Sequence, residues 1–453
     1  MLDKKCFEMI RLANKEEKIA WIVRKIIQQK GRGIVVCFSD AECETVRKCL
    51  EISGIGSGVI DQQLSSNVSA KQEMEMKEVR DSFMNGRINI LFTVFHHAVD
   101  LSDYQDLTDY MIFYQKPVLY GNLESIYKMC FCAKKGQCFI LDSKEKAAIK
   151  QYFMEKCANE ETIQEILNCL QNSRIPLTEK EFQIYINKSS GEIRYSLYLL
   201  EKERLVFRDG TKYCYLGGNY NDIADKVRAE QQKIFQQEQQ RMQFCDEIGT
   251  SLCKADALFF ELLEKVHTYF KNKTYEINTR KMWPAGFQVN GKGKIEYPYQ
   301  KGIAFAEDAE SGMGSVIERD FQTNNISEEL MNFIAGRIKN MIQQNNIRWI
   351  TYVEEADSLG SMKRFAEKLG EKLGVFVAGA ITLNGEGEQS KNTIRECCTI
   401  SQMYQLDISN CYKGNVLLLK KHAGSRYALT YCSNMLGNVG CGNVYVCTLL
   451  LEE

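Results

Sequence analysis

The pattern of apolar and polar positions changes character twice along the chain. Up to about residue 157, short continuous apolar runs alternate with amphipathic stretches. Gly33-Ile-Val-Val-Cys-Phe38, Ile88-Asn-Ile-Leu-Phe-Thr93, Tyr110-Met-Ile-Phe-Tyr114 and Gln137-Cys-Phe-Ile-Leu141 read as buried strands, and Ser57-Gly-Val-Ile60 as extended. Residues 17–30, 40–50, 69–85 and 122–132 carry the helical period between them. Continuous apolar strands separated by helices predict a parallel sheet covered on both faces, an α/β domain.

From 158 to 217 the signal becomes helical and then alternating. Ile163, Ile166, Leu167 and Leu170 predict a first helix, and Thr178-Glu-Lys-Glu181 is the capping-box start of a second. Ser190 is placed to cap a third, Gly191 to Glu203, whose Ile193, Leu197 and Leu200 recur at helical spacing. Arg204-Leu-Val-Phe-Arg208, the turn Asp209-Gly210 and Thr211 to Leu216 then predict a hairpin. Three helices followed by a two-stranded wing is a winged-helix pattern. Its outward residues are expected to be Arg194, Tyr195, Tyr198, Lys202 and Arg204 on the third helix, with Arg208 and Lys212 on the wing. Interleaved basic and aromatic side chains suit phosphate contact with base stacking. Residues 218–275 read as a helical region: a long glutamine-rich helix from Asp222 to Ile248, then a strongly apolar one from Ala257 to Phe270.

From 276 to 453 strands and helices alternate again. Arg348-Trp-Ile-Thr-Tyr-Val353, Val375 to Ala378, Asn415-Val-Leu-Leu-Leu419 and Val444 to Leu451 predict a second parallel sheet, with Met362 to Leu373, Lys391 to Met403 and Tyr427 to Asn438 between them.

Composition narrows the classes. No apolar run approaches the roughly 20 residues of a membrane-spanning helix, and the N-terminal Met1-Leu-Asp-Lys-Lys-Cys6 does not read as a signal peptide. A cytoplasmic protein without membrane contact is expected. The 18 cysteines include no Cys-x-x-Cys, so they are expected to be reduced thiols packed as small hydrophobes, with no bound metal. Net charge is −1, and Glu161 to Gly217 holds eight basic and eight acidic residues, so any nucleic-acid contact must come from a local patch. A protein partner is an equally open expectation for such a module.

The order of these parts resembles the C-terminal portion of a RecQ-like superfamily 2 helicase. Gly33 to Phe38 and Asp40-Ala-Glu-Cys-Glu-Thr-Val46 match the family's fourth motif, Ile90-Leu-Phe-Thr93 a strand ending in Ala-Thr, and Ser125 to Gly136 its sixth motif. Arg280-Lys-Met-Trp-Pro-Ala-Gly286, with Gly302-Ile-Ala-Phe305 and Ser311-Gly-Met-Gly314, resembles the C-terminal extension that leads into a phosphoribosyltransferase-like fold. The resemblance implies a degenerate RecA-like domain (1–157), a winged helix (158–217), a helical region with a lapsed zinc site (218–275) and a degenerate phosphoribosyltransferase-like domain (276–453).

The departures govern the chemistry this resemblance implies. In the sixth motif Cys132 and Lys135 stand where arginines reach nucleotide phosphates, and a lysine cannot make their bidentate fork. His97-Ala-Val-Asp100 replaces the glycine-rich fifth motif, and the sequence has no GxxxxGK[ST] phosphate loop. In the zinc region Gln240 takes a ligand position and Cys253-Lys-Ala-Asp256 replaces a cysteine pair. In the transferase-like domain Lys420 and Lys421 occupy the acidic pair that would engage ribose hydroxyls and magnesium pyrophosphate. The same loop, with Gly424, Ser425 and Thr430 bordered by Lys420, Lys421, His422 and Arg426, is a candidate metal-free anion site. The expectation is a non-catalytic subunit, nucleic-acid-binding or adaptor, without cofactor or small-molecule substrate. The family's associations place it in a larger bacterial complex of genome maintenance or anti-phage defence. The alternative is half of a split helicase, completed in trans by a Walker-motif subunit.

Overall fold

A computed structural model of the chain describes all residues except 1–2, 61–69, 95–100, 102–103, 105–106, 117–119, 132–135, 144–158, 174, 356–359, 386–389 and 452–453. The chain divides into two compact units, Met1–Tyr152 with Gln231–Tyr269, and Phe153–Glu230 with Phe270–Glu453. Both are α/β.

The first unit is built on a seven-stranded sheet. In spatial order its strands are Thr250–Leu252, Phe7–Arg11, Gln137–Asp142, Tyr110–Phe113, Gly33–Cys37, Ile90–Val94 and Ser57–Ile60, and every pairing is parallel. The inner strands Gly33–Cys37, Ile90–Val94 and Tyr110–Phe113 are buried at every position, which is why they read as unbroken apolar runs. The helices Lys15–Gln28, Asp40–Ile52, Ala70–Met84 and Tyr120–Cys130 match the predicted ones within a few residues. Two strands escaped the pattern. Phe7–Arg11 lies in a charged stretch, and Thr250–Leu252 is an edge strand exposed throughout, so neither shows an apolar run.

The region compared with a zinc site is packed through Asp256 and the helix that follows it. Asp256 caps the helix Ala257–Asn272 by accepting from the Phe259 amide at 2.8 Å and lies 3.6 Å from Arg24. Phe259, Leu262, Val266 and Phe270 of that helix are buried. Cys245 packs in the apolar core beside Phe7 and Phe244, and burial pushes its thiol up. Among the described residues no cluster of His, Cys, Asp and Glu has the makings of a metal site.

The second unit contains a six-stranded sheet in the order Tyr275–Ile277, Gly302–Ala306, Val444–Leu450, Asn415–His422, Ile347–Tyr352 and Phe376–Val377. Only the first pairing is antiparallel. The predicted strands and helices are present, and the helices Gly314–Gln322 and Glu328–Gln344, which had no predicted counterpart, cover one face. No helix among the described residues is long and apolar enough to cross a membrane.

The same unit holds the three-helix segment. Glu160–Asn172, Glu179–Tyr185 and Ser190–Lys202 pack around Ile163, Ile166, Phe182, Ile193, Leu197 and Leu200, all fully buried. The wing strands Val206–Asp209 and Lys212–Tyr215 are joined by Leu177–Thr178 into a three-stranded antiparallel sheet.

Candidate nucleic-acid interface

The third helix is fixed by its buried face. Ile193, Leu197 and Leu200 are wholly inaccessible, so the opposite stripe points outward. Ser189, one residue earlier than predicted, is the cap and accepts from the Glu192 amide at 3.2 Å. Thr178 caps the second helix in the predicted box with Glu181.

Arg194, Tyr198 and Lys202 recur every four residues and form one exposed stripe. Tyr198 is 56% exposed, large for an aromatic ring. Tyr195 is half-buried, its ring centroid 6.2 Å from that of Tyr198, so it supports the stripe from one side. Arg194 forks onto Glu179 at 2.8 and 3.3 Å, and Lys202 stands 3.7 Å from Glu230. The arginine side chain is 68% exposed and the lysine side chain 49%. Pairs this exposed are worth about 0–1 kcal/mol, so exchanging a carboxylate for a phosphate costs little.

Arg204 ends the helix in a conformation that favours glycine, with φ at +61°. Its amide bonds the Glu201 carbonyl and the Leu205 amide bonds Leu200, each at 3.0 Å, the two closures of a Schellman turn. Among the described residues five non-glycines have positive φ: three are asparagines, which tolerate it, and the other two are Arg204 and Arg426. Both arginines belong to the predicted site sets. In the wing, Gly210 opens a two-residue loop at φ +59°, one position later than the predicted turn, as a type II′ hairpin requires. Arg208 donates to the Gly210 carbonyl at 3.0 Å and lies 5.7 Å from the Tyr213 ring, and Lys212 is exposed beyond it. Seven predicted residues thus share one small module, six of them exposed and Tyr195 half-buried.

The second predicted set differs from expectation. Lys420 is not a free cation at a solvated loop. It is buried, its ammonium 2.5 Å from Glu355 Oε1 and 2.9 Å from the His422 carbonyl. Glu355 also meets His422 Nδ1 at 2.8 Å through its other oxygen. Burial alone would raise the Glu355 carboxyl, but the bond with His422 and the Lys420 charge outweigh it and hold it at about 2. Lys421 faces Glu318 at 3.0 Å. Ser425 donates to Glu396, and Thr430 donates to the Arg426 carbonyl at 2.8 Å. Gly424 and Arg426 have φ of +51° and +69°, so the loop keeps a tight turn before the helix Tyr427–Asn438. Lys420, Lys421, Ser425 and Thr430, expected to meet an external anion, are thus met by the chain's own carboxylates and carbonyls.

Those carboxylates were missed in the sequence, because only the pairing of strands brings them to the loop. The strands Ile347–Tyr352 and Asn415–His422 run parallel with Tyr352 opposite Leu419. This register brings Glu354-Glu355 beside Lys420-Lys421, opposite charges at the C-terminal ends of two neighbouring inner strands. Arg280 was also unassigned: it forks onto the Ser425 carbonyl at 2.8 and 3.1 Å and stacks on Tyr427 at 4.1 Å. Arg280 thus clamps the loop. Cys132, Lys135 and His97 to Asp100, on which the helicase-motif readings fall, lie outside the described residues.

No protein-family model matches the sequence, and no curated protein does. Similar solved structures include the C-terminal domain of the DEAD-box protein Dbp5, 16% identical over 32% of this chain and 83% of that one, with a TM-score of 0.26. The E. coli DEAD-box protein SrmB, bound to the regulator of ribonuclease activity A, is 16% identical over 32% of this chain and 79% of its own, TM-score 0.26. The DUF1998 helicase MrfA bound to DNA is 13% identical over 48% of this chain and 32% of its own, TM-score 0.24. These likenesses are partial and assign no activity.

Proposed function

We propose that this chain is a non-catalytic, nucleic-acid-binding subunit of a larger assembly, contacting its ligand through the third helix and wing. The observation that carries this reading is the exposed Arg194–Tyr198–Lys202 stripe, extended by Arg204, Arg208 and Lys212. The elements beneath it are fixed by a buried apolar core. Arg204 adds support: it holds a positive-φ turn position that glycine would close with less strain, and its side chain is exposed beside the stripe. Guanidinium and ammonium groups at helical spacing track a phosphate backbone, and an exposed tyrosine among them offers a stacking face.

The transferase-like sheet supports the non-catalytic half of the reading. On the phosphoribosyltransferase resemblance, the buried ammonium of Lys420, paired with Glu355, stands where that family would carry a metal-binding acid, and a cation there gives no purchase to magnesium. In binding assays, charge reversal by Arg194→Glu/Lys202→Glu lowers affinity for nucleic acid by at least tenfold at low salt. Unchanged affinity would move the contact to another surface.

A further inference from the structure

A cavity of about 740 Å³ lies wholly inside the second unit, between the three-helix module and the transferase-like domain. Lys180, Arg194, Arg208 and Tyr213 line one side, and Pro284 and Thr393 the other. The separation of the two sides is fixed by several bonds. Asn392 donates to the Ile186 and Lys188 carbonyls at 3.0 and 3.2 Å, and Arg395 donates to the Tyr185 carbonyl at 3.1 Å. Gly286, at φ +102°, sits so close to Ile184 that an added Cβ would lie 2.9 Å from its side chain. The loop behind Pro284 is therefore seated against the second helix.

This geometry restricts the ligand. In helix-turn-helix recognition the N-terminal residues of the recognition helix enter the major groove of a duplex. Here Arg194, in the first half of the third helix, looks into a cavity with Pro284 and Thr393 opposite. The cavity is open to solvent along one side but has Pro284 and Thr393 facing Arg194, and its volume suits one strand laid between the two sides better than a duplex. Three cations and one carboxylate, Glu179, line the cavity, and Glu179 is already engaged by Arg194. The field inside favours a polyanion.

We propose that this cavity binds the sugar-phosphate backbone of a single-stranded nucleic acid, with Lys180, Arg194 and Arg208 as its phosphate contacts. The proposal rests on the nucleic-acid reading above and adds the ligand's strandedness and path. Ala285, exposed at the rim beside Pro284, gives a test that spares the basic residues. Labelled oligo-dT, oligo-rU of equal length and a hairpin duplex are titrated against wild type, Ala285→Trp and Thr393→Glu. Thermal melts of each variant check folding.

Wild type is expected to bind oligo-dT, oligo-rU or both at least tenfold more tightly than the duplex. Both variants are expected to lose about tenfold on the single strands while melting as wild type does. A preference for rU over dT would identify RNA through its 2′-hydroxyl, and the reverse would identify DNA. Duplex binding at least equal to single-strand binding, or single-strand binding unaffected by both variants, overturns the cavity and leaves the exposed stripe standing. Binding of none of the three probes overturns the functional reading itself. If Ala285→Trp fails to fold, Thr393→Glu, on an exposed side chain, decides alone.

Discussion

Glu355→Gln removes one charge from the Lys420–Glu355–His422 cluster and alters little else. The folded carboxyl is held at about 2 against an ordinary 4.5, a depression of about 2.5 units. At 1.36 kcal/mol per unit this corresponds to about 3 kcal/mol. The side chains are only 15% and 8% exposed for Glu355 and Lys420, so solvent screening takes little from that figure. Glutamine also leaves the buried ammonium without a counter-charge, which acts in the same direction. A unit of this size loses about 2–4 °C in melting temperature per kcal/mol, so the variant should melt about 6–12 °C lower at pH 7.

The pH dependence has a fixed sign. A depressed carboxyl stabilises above its unfolded value, and the contribution disappears as pH falls from about 4.5 through about 2. Roughly half of it should remain at pH 3. Thermal melts at pH 7 and pH 3, with hydrogen exchange read on Asn415–His422, measure both effects. Glu355→Gln/Lys420→Met should recover most of the loss, because a buried pair replaced by apolar volume is near neutral. A melting temperature within about 2 °C of wild type at pH 7, or an equal gap at both pH values, would refute the assignment of an ionised, paired Glu355.

Arg204→Gly should stabilise the second unit by about 1 kcal/mol, since glycine accepts positive φ without strain, while weakening nucleic-acid binding severalfold. Denaturant melts and binding assays on one preparation check both halves. Phosphoribosyl pyrophosphate with magnesium should give neither pyrophosphate release nor a thermal shift; activity that survives Lys420→Met would contradict the reading of a lapsed site. A Walker-motif subunit mixed with this chain should show no ATPase beyond its own. Stimulation that is abolished by Lys135→Ala would favour the split-helicase alternative.

The sequence carried the elements better than their partners. Buried parallel strands such as Gly33–Cys37 announce themselves because both faces demand apolar residues. The edge strand Thr250–Leu252 had no such demand on it and stayed silent. The third helix was legible to within one residue, since a single capping hydroxyl and three apolar positions define it. Of its predicted outward residues, Arg194, Tyr198 and Lys202 follow from the same periodicity, while Tyr195 is half-buried and Arg204 lies past the helix end. Partners across the sheet were not legible in the same way. Lys420 looks like a free cation until the register sets Glu355 beside it, and register is a tertiary fact. The positive backbone φ at Arg204 and Arg426 was likewise invisible, because it is set by the turn and not by residue type. The cavity beside Pro284 joins three segments spread over the stretch from Thr178 to Ile394, and no local pattern encodes it.

The central claim is phosphate contact through the third helix and wing, and its most direct measurement is binding of single-stranded oligonucleotides as a function of salt. For single strands the logarithm of affinity falls against the logarithm of salt concentration with a slope of about −0.7 per phosphate contact. The account predicts a steep linear fall in wild type, and a slope about 1.4 shallower in Arg194→Glu/Lys202→Glu, which loses two contacts. A wild-type affinity indifferent to salt, or a slope unchanged by the double substitution, would contradict it.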